Sequence, residues 1–182
     1  PVKWQGVALT GMSSANDGAA ASSRLPDGSE LLRVLGFVVL VNVVGATPAV
    51  LGGPDSAWFE ALEKPWFYPP GWAFGVAWTI LFTLMGVALY RVWREGTESR
   101  AVRVAIGAFA LQMVFNVVWT PAFFTLQRPG LALGIIAVLW VLVAGTIAAF
   151  DRVDRPAAAL LVPYLAWVSF ATVLNYAIWS LN

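Results

Sequence analysis

The sequence predicts an all-α integral membrane protein built as a bundle of five transmembrane helices. Apolar residues make up 59% of its 182 residues and charged residues only 12%, about half the charged share of a soluble domain. Five uncharged apolar stretches have about the length that a helix needs to cross a bilayer core of roughly 30 Å. Membrane-spanning β-strands would be about half as long. Composition and segment length therefore agree on the fold class.

The five predicted helices follow a polar N-terminal segment. Residues 1–30 are rich in Ser, Ala, Gly and Asp, lack an apolar run of signal-peptide length, and predict a disordered tail. The membrane domain is predicted to cover residues 31–182. Pro48, Pro121 and Pro163 lie inside apolar runs, where we expect them to kink the helices. The predicted helices cover residues 31–51, 72–93, 102–126, 129–150 and 156–180.

The composition excludes several classes of function. A net charge of +1 gives little attraction to nucleic acid, so no nucleic-acid partner is expected. The chain has neither His nor Cys, which removes the commonest metal ligand, general base and thiol nucleophile. No charged residue lies in the five apolar runs, which argues against ion coupling or carboxylate catalysis. We therefore predict no catalytic residue, no metal site and no resident cofactor.

The connection between the first two helices is rich in aromatic residues and proline. Pro65, Pro69 and Pro70 fix φ and remove backbone donors, so residues 66–68 are predicted to be extended. A stiff backbone that presents aromatic rings is suited to covering a flat apolar ligand. An aromatic belt at the membrane interface is an equally weighted alternative.

Polar and aromatic side chains recur on single faces of three helices. Gln112 and Asn116 are four residues apart, a spacing that places them on one face of the third helix. The alternatives are interhelical hydrogen bonds made by the amides, worth about 0.6 kcal/mol on average, and ordinary packing of the rings. Together with the aromatic loop, these faces favour one apolar pocket with a few polar groups. The faces carry Trp78 and Phe82 in the second helix, Trp119 and Phe123 in the third, and Trp167, Ala171 and Asn175 in the fifth.

Three segments carry a family resemblance that spans about residues 34–182. They are ALEKPWFYPPG at residues 61–71, NVVWTPAFF at 116–124 and LVPYLAWVSFATVLN at 161–175. These segments resemble motifs of the TspO/MBR family of tryptophan-rich sensory proteins and translocator proteins. The resemblance implies a five-helix bundle whose internal ligand cavity is capped by the first loop. It also implies binding of tetrapyrroles such as protoporphyrin IX.

The resemblance and the helix faces together define the predicted ligand-binding residues. Asn116 and Trp167 are the expected polar contacts to a ligand carbonyl or carboxylate. Phe59 stands where some relatives have a Tyr implicated in light-driven porphyrin breakdown, and Phe has no phenolic proton to lose. The full set is Phe59, Trp66, Pro69, Trp78, Phe82, Gln112, Asn116, Trp119, Phe123, Trp167, Ala171 and Asn175.

The favoured function is a membrane receptor or carrier for tetrapyrroles. A light- and oxygen-dependent porphyrin-degrading enzyme is the first alternative, and a structural membrane protein without a specific ligand is the second. Membrane lipid is the expected surrounding partner. Small residues four apart, at Gly71 and Gly75 and at Gly130 and Gly134, are compatible with a homodimer.

Basic residues are concentrated on one side of the predicted membrane. Nine of the eleven Lys and Arg residues lie in or beside the tail and the second and fourth loops. Only Lys64 and Arg128 lie on the opposite side. The positive-inside rule then places the N-terminus inside and the C-terminus and aromatic loop outside, in a prokaryotic cytoplasmic membrane.

A topology reporter tests this orientation. A periplasmic reporter fused after Asn182 is expected to be active, whereas the same reporter inserted near Glu98 is expected to be inactive. A cytoplasmic reporter at the two positions should give the reverse pattern. Cytoplasmic activity of the fusion at Asn182 would contradict the orientation.

Overall fold

The structure, a computed structural model, describes residues 28–51 and 56–182, and within these ranges it contains only helices and loops. Most of the tail predicted for residues 1–30 lies outside the described residues. Five helical stretches are long and apolar enough to span a membrane, which confirms the predicted fold class. The elements are α1 (Gly28–Leu51), α2 (Ala57–Ala61), α3 (Gly71–Trp93), α4 (Arg100–Thr120), a π-helical turn (Pro121–Thr125), α5 (Pro129–Asp151), α6 (Arg155–Leu160) and α7 (Val162–Leu181).

The apolar runs fold into helices because a bilayer offers the backbone no water with which to hydrogen-bond. Each apolar run therefore satisfies its own N–H and C=O groups. The first helix begins at Gly28, three residues before the start predicted from the sequence. Pro48 lies inside that helix without ending it.

The two other prolines change the helix geometry locally. Pro121 opens the π-helical turn, in which the Leu126 N–H donates to the Pro121 carbonyl over 2.8 Å. Pro163 has no N–H, and the last spanning stretch is interrupted just before it, at Leu161. There the Leu161 N–H donates to the Ala158 carbonyl over 3.1 Å.

The spanning helices form a closed ring. Going around it, α1 packs on α3, α3 on α6, the α6–α7 stretch on α5, α5 on α4, and α4 on α1. The inward faces make the core, whereas large apolar side chains such as Val39, Val141 and Val173 are exposed on the outside. Lipid chains cover such side chains in a membrane.

The helices α1 and α3 pack closely at two glycines, Gly86 against backbone and Gly45 against a side chain. A Cβ on Gly86 would lie 2.6 Å from the Val38 Cα, and a Cβ on Gly45 would overlap the Phe82 ring. By contrast, Gly71, Gly75 and Gly134 face open space, with nothing within 4 Å of an added Cβ. Those three glycines therefore make no close helix contact within the described chain, and the homodimer stays a prediction.

Polar contacts fix the two ends of the bundle. At the end where α3 finishes, Arg91 Nε and Nη2 donate to the two Asp154 carboxylate oxygens at 2.6 and 3.2 Å. At the other end, the Asn182 amide accepts from the Glu63 N–H at 3.0 Å and donates to the Glu63 carbonyl at 3.1 Å. The first loop and the end of α7 are therefore joined on one side of the membrane.

The close approach of α1 and α3 predicts the effect of adding a methyl group. Gly86→Ala should destabilise the protein by about 1–3 kcal/mol, because the new Cβ meets the rigid backbone of α1. Gly134→Ala is the matched control, since its Cβ enters open space and the change stays within about 1 kcal/mol. Thermal unfolding in detergent measures both. Equal melting temperatures for the two variants would contradict the close packing.

Candidate ligand-binding site

The first loop is held by a short capped helix. The Phe59 N–H donates to Ser56 Oγ at 3.2 Å, which caps the start of α2. Lys64 Nζ donates to the carbonyls of Phe59, Glu60 and Leu62 at 2.8–3.3 Å and caps its end. The same ammonium lies 4.8 Å from the Phe59 ring centroid. A single lysine therefore fixes both the helix end and a buried aromatic ring.

The extended conformation predicted for residues 66–68 is wrong. Trp66 and Phe67 form a turn closed by a 2.9 Å hydrogen bond from the Tyr68 N–H to the Pro65 carbonyl. The reason is that a proline restricts only the residue before it, so Pro69 restricts Tyr68 but not Trp66 or Phe67. Trp66 is consequently 95% exposed and contacts the edge of Phe67. Pro69 follows the turn and is half-buried.

Six rings fill the space between α3 and α7, and we call them the α3–α7 aromatic cluster. Trp78 stacks on Phe82 at 5.1 Å between centroids and meets Trp167 edge-on at 6.3 Å. Trp167 also contacts rings from both helices, at 5.9 and 5.5 Å. Three predicted site residues are thus in one cluster, and Ala171 is buried one turn beyond Trp167. The cluster consists of Phe74, Trp78, Phe82, Tyr164, Trp167 and Phe170.

The indole nitrogen of Trp167 is the feature of this cluster that ordinary packing leaves unexplained. Among the described residues, Trp167 Nε1 is the one buried side-chain nitrogen or oxygen without a hydrogen-bond partner. A buried Trp N–H normally finds a partner, and leaving it unpaired costs about 1–3 kcal/mol. The site therefore holds an enclosed donor that an acceptor on a ligand would satisfy.

The predicted amide contacts are engaged with the protein itself. Asn116 Nδ2 donates to the Tyr164 hydroxyl at 3.0 Å, and that hydroxyl donates to Gln112 Oε1 at 2.9 Å. All three side chains are at most 5% exposed. This arrangement is the interhelical bonding that the sequence left open for Gln112 and Asn116. Tyr164, which joins them, lies one turn from Trp167 on the same helix face but is not among the predicted site residues.

The remaining predicted residues lie in a second cluster beneath α2. The Phe59 ring meets Phe123 at 6.1 Å and Trp119 meets Phe123 at 5.6 Å. Asn175 Oδ1 accepts from Trp119 Nε1 at 3.1 Å, and Asn175 Nδ2 donates to the Pro129 carbonyl at 2.9 Å. Asn175 therefore joins the third, fourth and fifth spanning stretches through both ends of its amide.

Tyr68 connects the two clusters. Its ring lies 6.2 Å from Phe59 in the second cluster and 5.5 Å from Phe74 in the α3–α7 aromatic cluster. Burial raises the pKa of the Tyr68 phenol above its ordinary value, so the phenol stays neutral at physiological pH. Tyr68 is a second residue that the predicted set omitted, although it belongs to the PWFYPPG segment.

Two depressions of the described surface lie elsewhere. An apolar groove of about 450 Å³ runs between α1, α3 and α4, and a notch of about 270 Å³ lies where α1 begins and α3 ends. None of the twelve predicted site residues lines either depression. Aromatic rings occupy the space between α3 and α7, so the internal cavity capped by the first loop stays a prediction.

A ring of five apolar helices, each long enough to cross a bilayer, defines a polytopic membrane protein. Residues 37–180 match the TspO/MBR family. This chain belongs to the TspO/MBR family.

Several named relatives are similar over most of their length. The chain is 42% identical to "Tryptophan-rich protein TspO" of Chlorobaculum tepidum over 84% of this chain and 95% of the relative. It is 43% identical to "Tryptophan-rich sensory protein" of Cereibacter sphaeroides over 80% and 90%. It is 37% identical to "Translocator protein" of Bos taurus over 81% and 89%. The resemblance stated from the sequence is confirmed.

Removal of the Tyr164 hydroxyl is expected to lower the stability more than removal of the hydroxyl of an exposed tyrosine. Tyr164→Phe should lower the stability by about 1–3 kcal/mol, because two buried amides lose their shared partner. Tyr176→Phe, on the exposed face of the same helix, should have little effect. Thermal unfolding in detergent compares the two variants. A Tyr164→Phe variant as stable as Tyr176→Phe would show that the amides find other partners.

Proposed function

We propose that this protein is a membrane receptor or carrier that binds a tetrapyrrole such as protoporphyrin IX within the α3–α7 aromatic cluster. The observation that carries the proposal is the enclosed, unpartnered Trp167 Nε1 in the middle of that cluster. Its donor requires an acceptor in a place where the neighbouring side chains are aromatic rings. A flat aromatic ligand with carbonyl or carboxylate oxygens supplies both kinds of contact.

The chemistry of the cluster fits such a ligand. Trp78 and Phe82 already stack at 5.1 Å with their planes 25° apart, the arrangement in which an aromatic macrocycle would pack. Small-molecule sites are mostly apolar and carry a few polar groups that fix orientation. Trp167 would provide that polar contact, whereas Asn116 would act through Tyr164 rather than on the ligand directly.

Entry of the ligand requires the rings at the loop end to move. Phe67 contacts Phe170 at 6.5 Å and Trp66 lies almost wholly outside the protein. The turn at Trp66 and Phe67 therefore has fewer restraints than α2, which Ser56 and Lys64 cap. Displacement of Phe67 and Phe170 would open the cluster toward this end. Only the open molecules would bind the ligand, so the apparent affinity would fall in proportion to the fraction of molecules that are open.

The names of the relatives support a receptor or carrier role. One relative is called a sensory protein and another a translocator protein, and we infer a role in recognising a molecule from these two names. In this chain Phe59 packs among Phe123, Phe124 and Lys64 and offers no phenol. That environment favours binding over light-driven breakdown of the ligand.

The membrane orientation belongs to the same proposal. We place the first loop and Asn182 outside and the N-terminal side inside a prokaryotic cytoplasmic membrane. The support is the excess of Lys and Arg at the end where α3 finishes and α4 begins. A ligand would then enter from the outer side, past the turn at Trp66 and Phe67.

The Trp167 indole is tested by removing its donor while keeping a ring. Trp167→Phe should weaken the binding of protoporphyrin IX about tenfold, because one hydrogen bond to a charged or carbonyl oxygen is lost. Quenching of tryptophan fluorescence, titrated in the dark in detergent, measures the dissociation constant. Darkness separates binding from any light-driven loss of porphyrin.

Trp179→Phe is the matched control, because Trp179 is on the same helix and half exposed. It should bind with the affinity of the wild-type protein. Absence of saturable quenching in the wild-type protein would refute the proposed function. Equal affinities of all three proteins would leave binding in place but remove Trp167 from the site.

A further inference from the structure

A small notch lies at the end of the bundle opposite the first loop. It has a volume of about 270 Å³ and is formed where α1 begins and α3 ends. We call it the basic notch, since two arginines are among its lining residues and no carboxylate is. It is lined by Arg33, Tyr90, Trp93, Arg94, Gly96 and Thr97.

The basic notch presents hydrogen-bond donors that the protein does not use. Among the described residues, Arg33 forms no ion pair, and neither the Tyr90 hydroxyl nor the Trp93 indole has a hydrogen-bond partner. Arg94 is partly neutralised, because its guanidinium lies 3.2 Å from Glu30 and 3.7 Å from Glu95. The charges of these two carboxylates balance those of the two arginines in sum, but within the described chain the guanidinium of Arg33 forms no ion pair and is open to a ligand. Unused donors around a positive charge are the chemistry that recognises an oxyanion.

The position of the notch corresponds to the level of lipid headgroups. Three rings pack beneath it, with Phe37 lying 5.8 Å from Tyr90 and 5.4 Å from Trp93. Tyr and Trp concentrate at the interface between hydrocarbon and water. The arginines lie at the ends of α1 and α3, on the side that holds seven of the nine basic residues in the described ranges. A headgroup phosphate would meet the donors while its acyl chains follow the helices.

We propose that the basic notch binds the phosphate of an anionic phospholipid, with Arg33 as the principal charged contact. The planar guanidinium pairs well with phosphate oxygens, and Tyr90 and Trp93 add neutral donors. Basic pockets between transmembrane helices on the inner side of a membrane are known to favour anionic headgroups. Free inorganic phosphate shares this chemistry and is distinguished below. The inference does not depend on tetrapyrrole binding.

Native mass spectrometry of the full chain in detergent tests the proposal. Phosphatidylglycerol and phosphatidylcholine of equal chain length are added separately, and the bound copies are counted over a concentration series. The wild-type protein should retain one phosphatidylglycerol in preference to phosphatidylcholine. Arg33→Gln should lower the affinity for phosphatidylglycerol about fivefold, which corresponds to the loss of one basic contact near a membrane surface.

Arg100→Gln is the matched control, because Arg100 is also exposed, lies at the same end and does not line the notch. It should keep the wild-type affinity. Arg33 is exposed, so Arg33→Gln should unfold at the wild-type temperature, and a thermal scan verifies this. Equal losses in the two variants would overturn the proposal, since they would show diffuse attraction instead of a site. Absence of any preference for phosphatidylglycerol would overturn it as well.

Competition identifies the source of the phosphate. Millimolar inorganic phosphate that leaves bound phosphatidylglycerol in place supports a lipid site that also uses the acyl chains. Displacement that is abolished by Arg33→Gln supports the same notch as a site open to free phosphate. Both results support the oxyanion chemistry. Displacement that is unchanged by Arg33→Gln would place the lipid elsewhere and overturn the assignment.

Discussion

Within the hydrocarbon core, each polar group has to find its partner inside the protein, because the lipid offers none. This constraint explains why the amides of Gln112, Asn116 and Asn175 are joined to partners on other helices. It also explains why the buried indole N–H of Trp167, which has no hydrogen-bond partner among the described residues, is unusual. In water an indole N–H without a protein partner is unremarkable, but inside this bundle the same group is costly to retain unless a ligand uses it.

The contacts that α3 makes with α6 and α7 differ in chemistry between its two ends. Where α3 ends, its backbone lies close to α6 and Arg91 bonds Asp154 in a bidentate pair. Toward the first loop, aromatic rings bridge α3 and α7 instead, with Trp78 against Trp167. Apart from Tyr164, the rings of this cluster form no hydrogen bonds with described residues that repacking would break, whereas separation of the ion pair leaves two charges without partners. The aromatic end is therefore the part of the bundle that can adapt to a ligand, and the charged end holds the helices together.

The two membrane surfaces also differ in how many basic residues they carry. The first loop carries Trp66, Phe67 and Tyr68 and one basic residue, Lys64, whose ammonium is occupied by three backbone carbonyls. The opposite surface carries most of the arginines, and Arg33 has no acidic partner among the described residues. The tetrapyrrole site and the phosphate site that we propose would therefore lie toward opposite membrane surfaces.

The sequence by itself determined the five spanning helices, because apolar length and the absence of charge do not depend on neighbours. It also identified Trp78, Phe82 and Trp167, which the structure places in one cluster. The sequence did not determine the hydrogen-bond partners of the buried amides. The spacing of Asn116 put that amide on an inward face, but only the packing of α7 brought the Tyr164 hydroxyl to it. The exposure of Trp66 likewise followed from a turn, since local proline rules leave that residue unrestrained. Periodicity fixes which face a side chain occupies, whereas its hydrogen-bond partner depends on which helices become neighbours, and that is decided only in the tertiary structure.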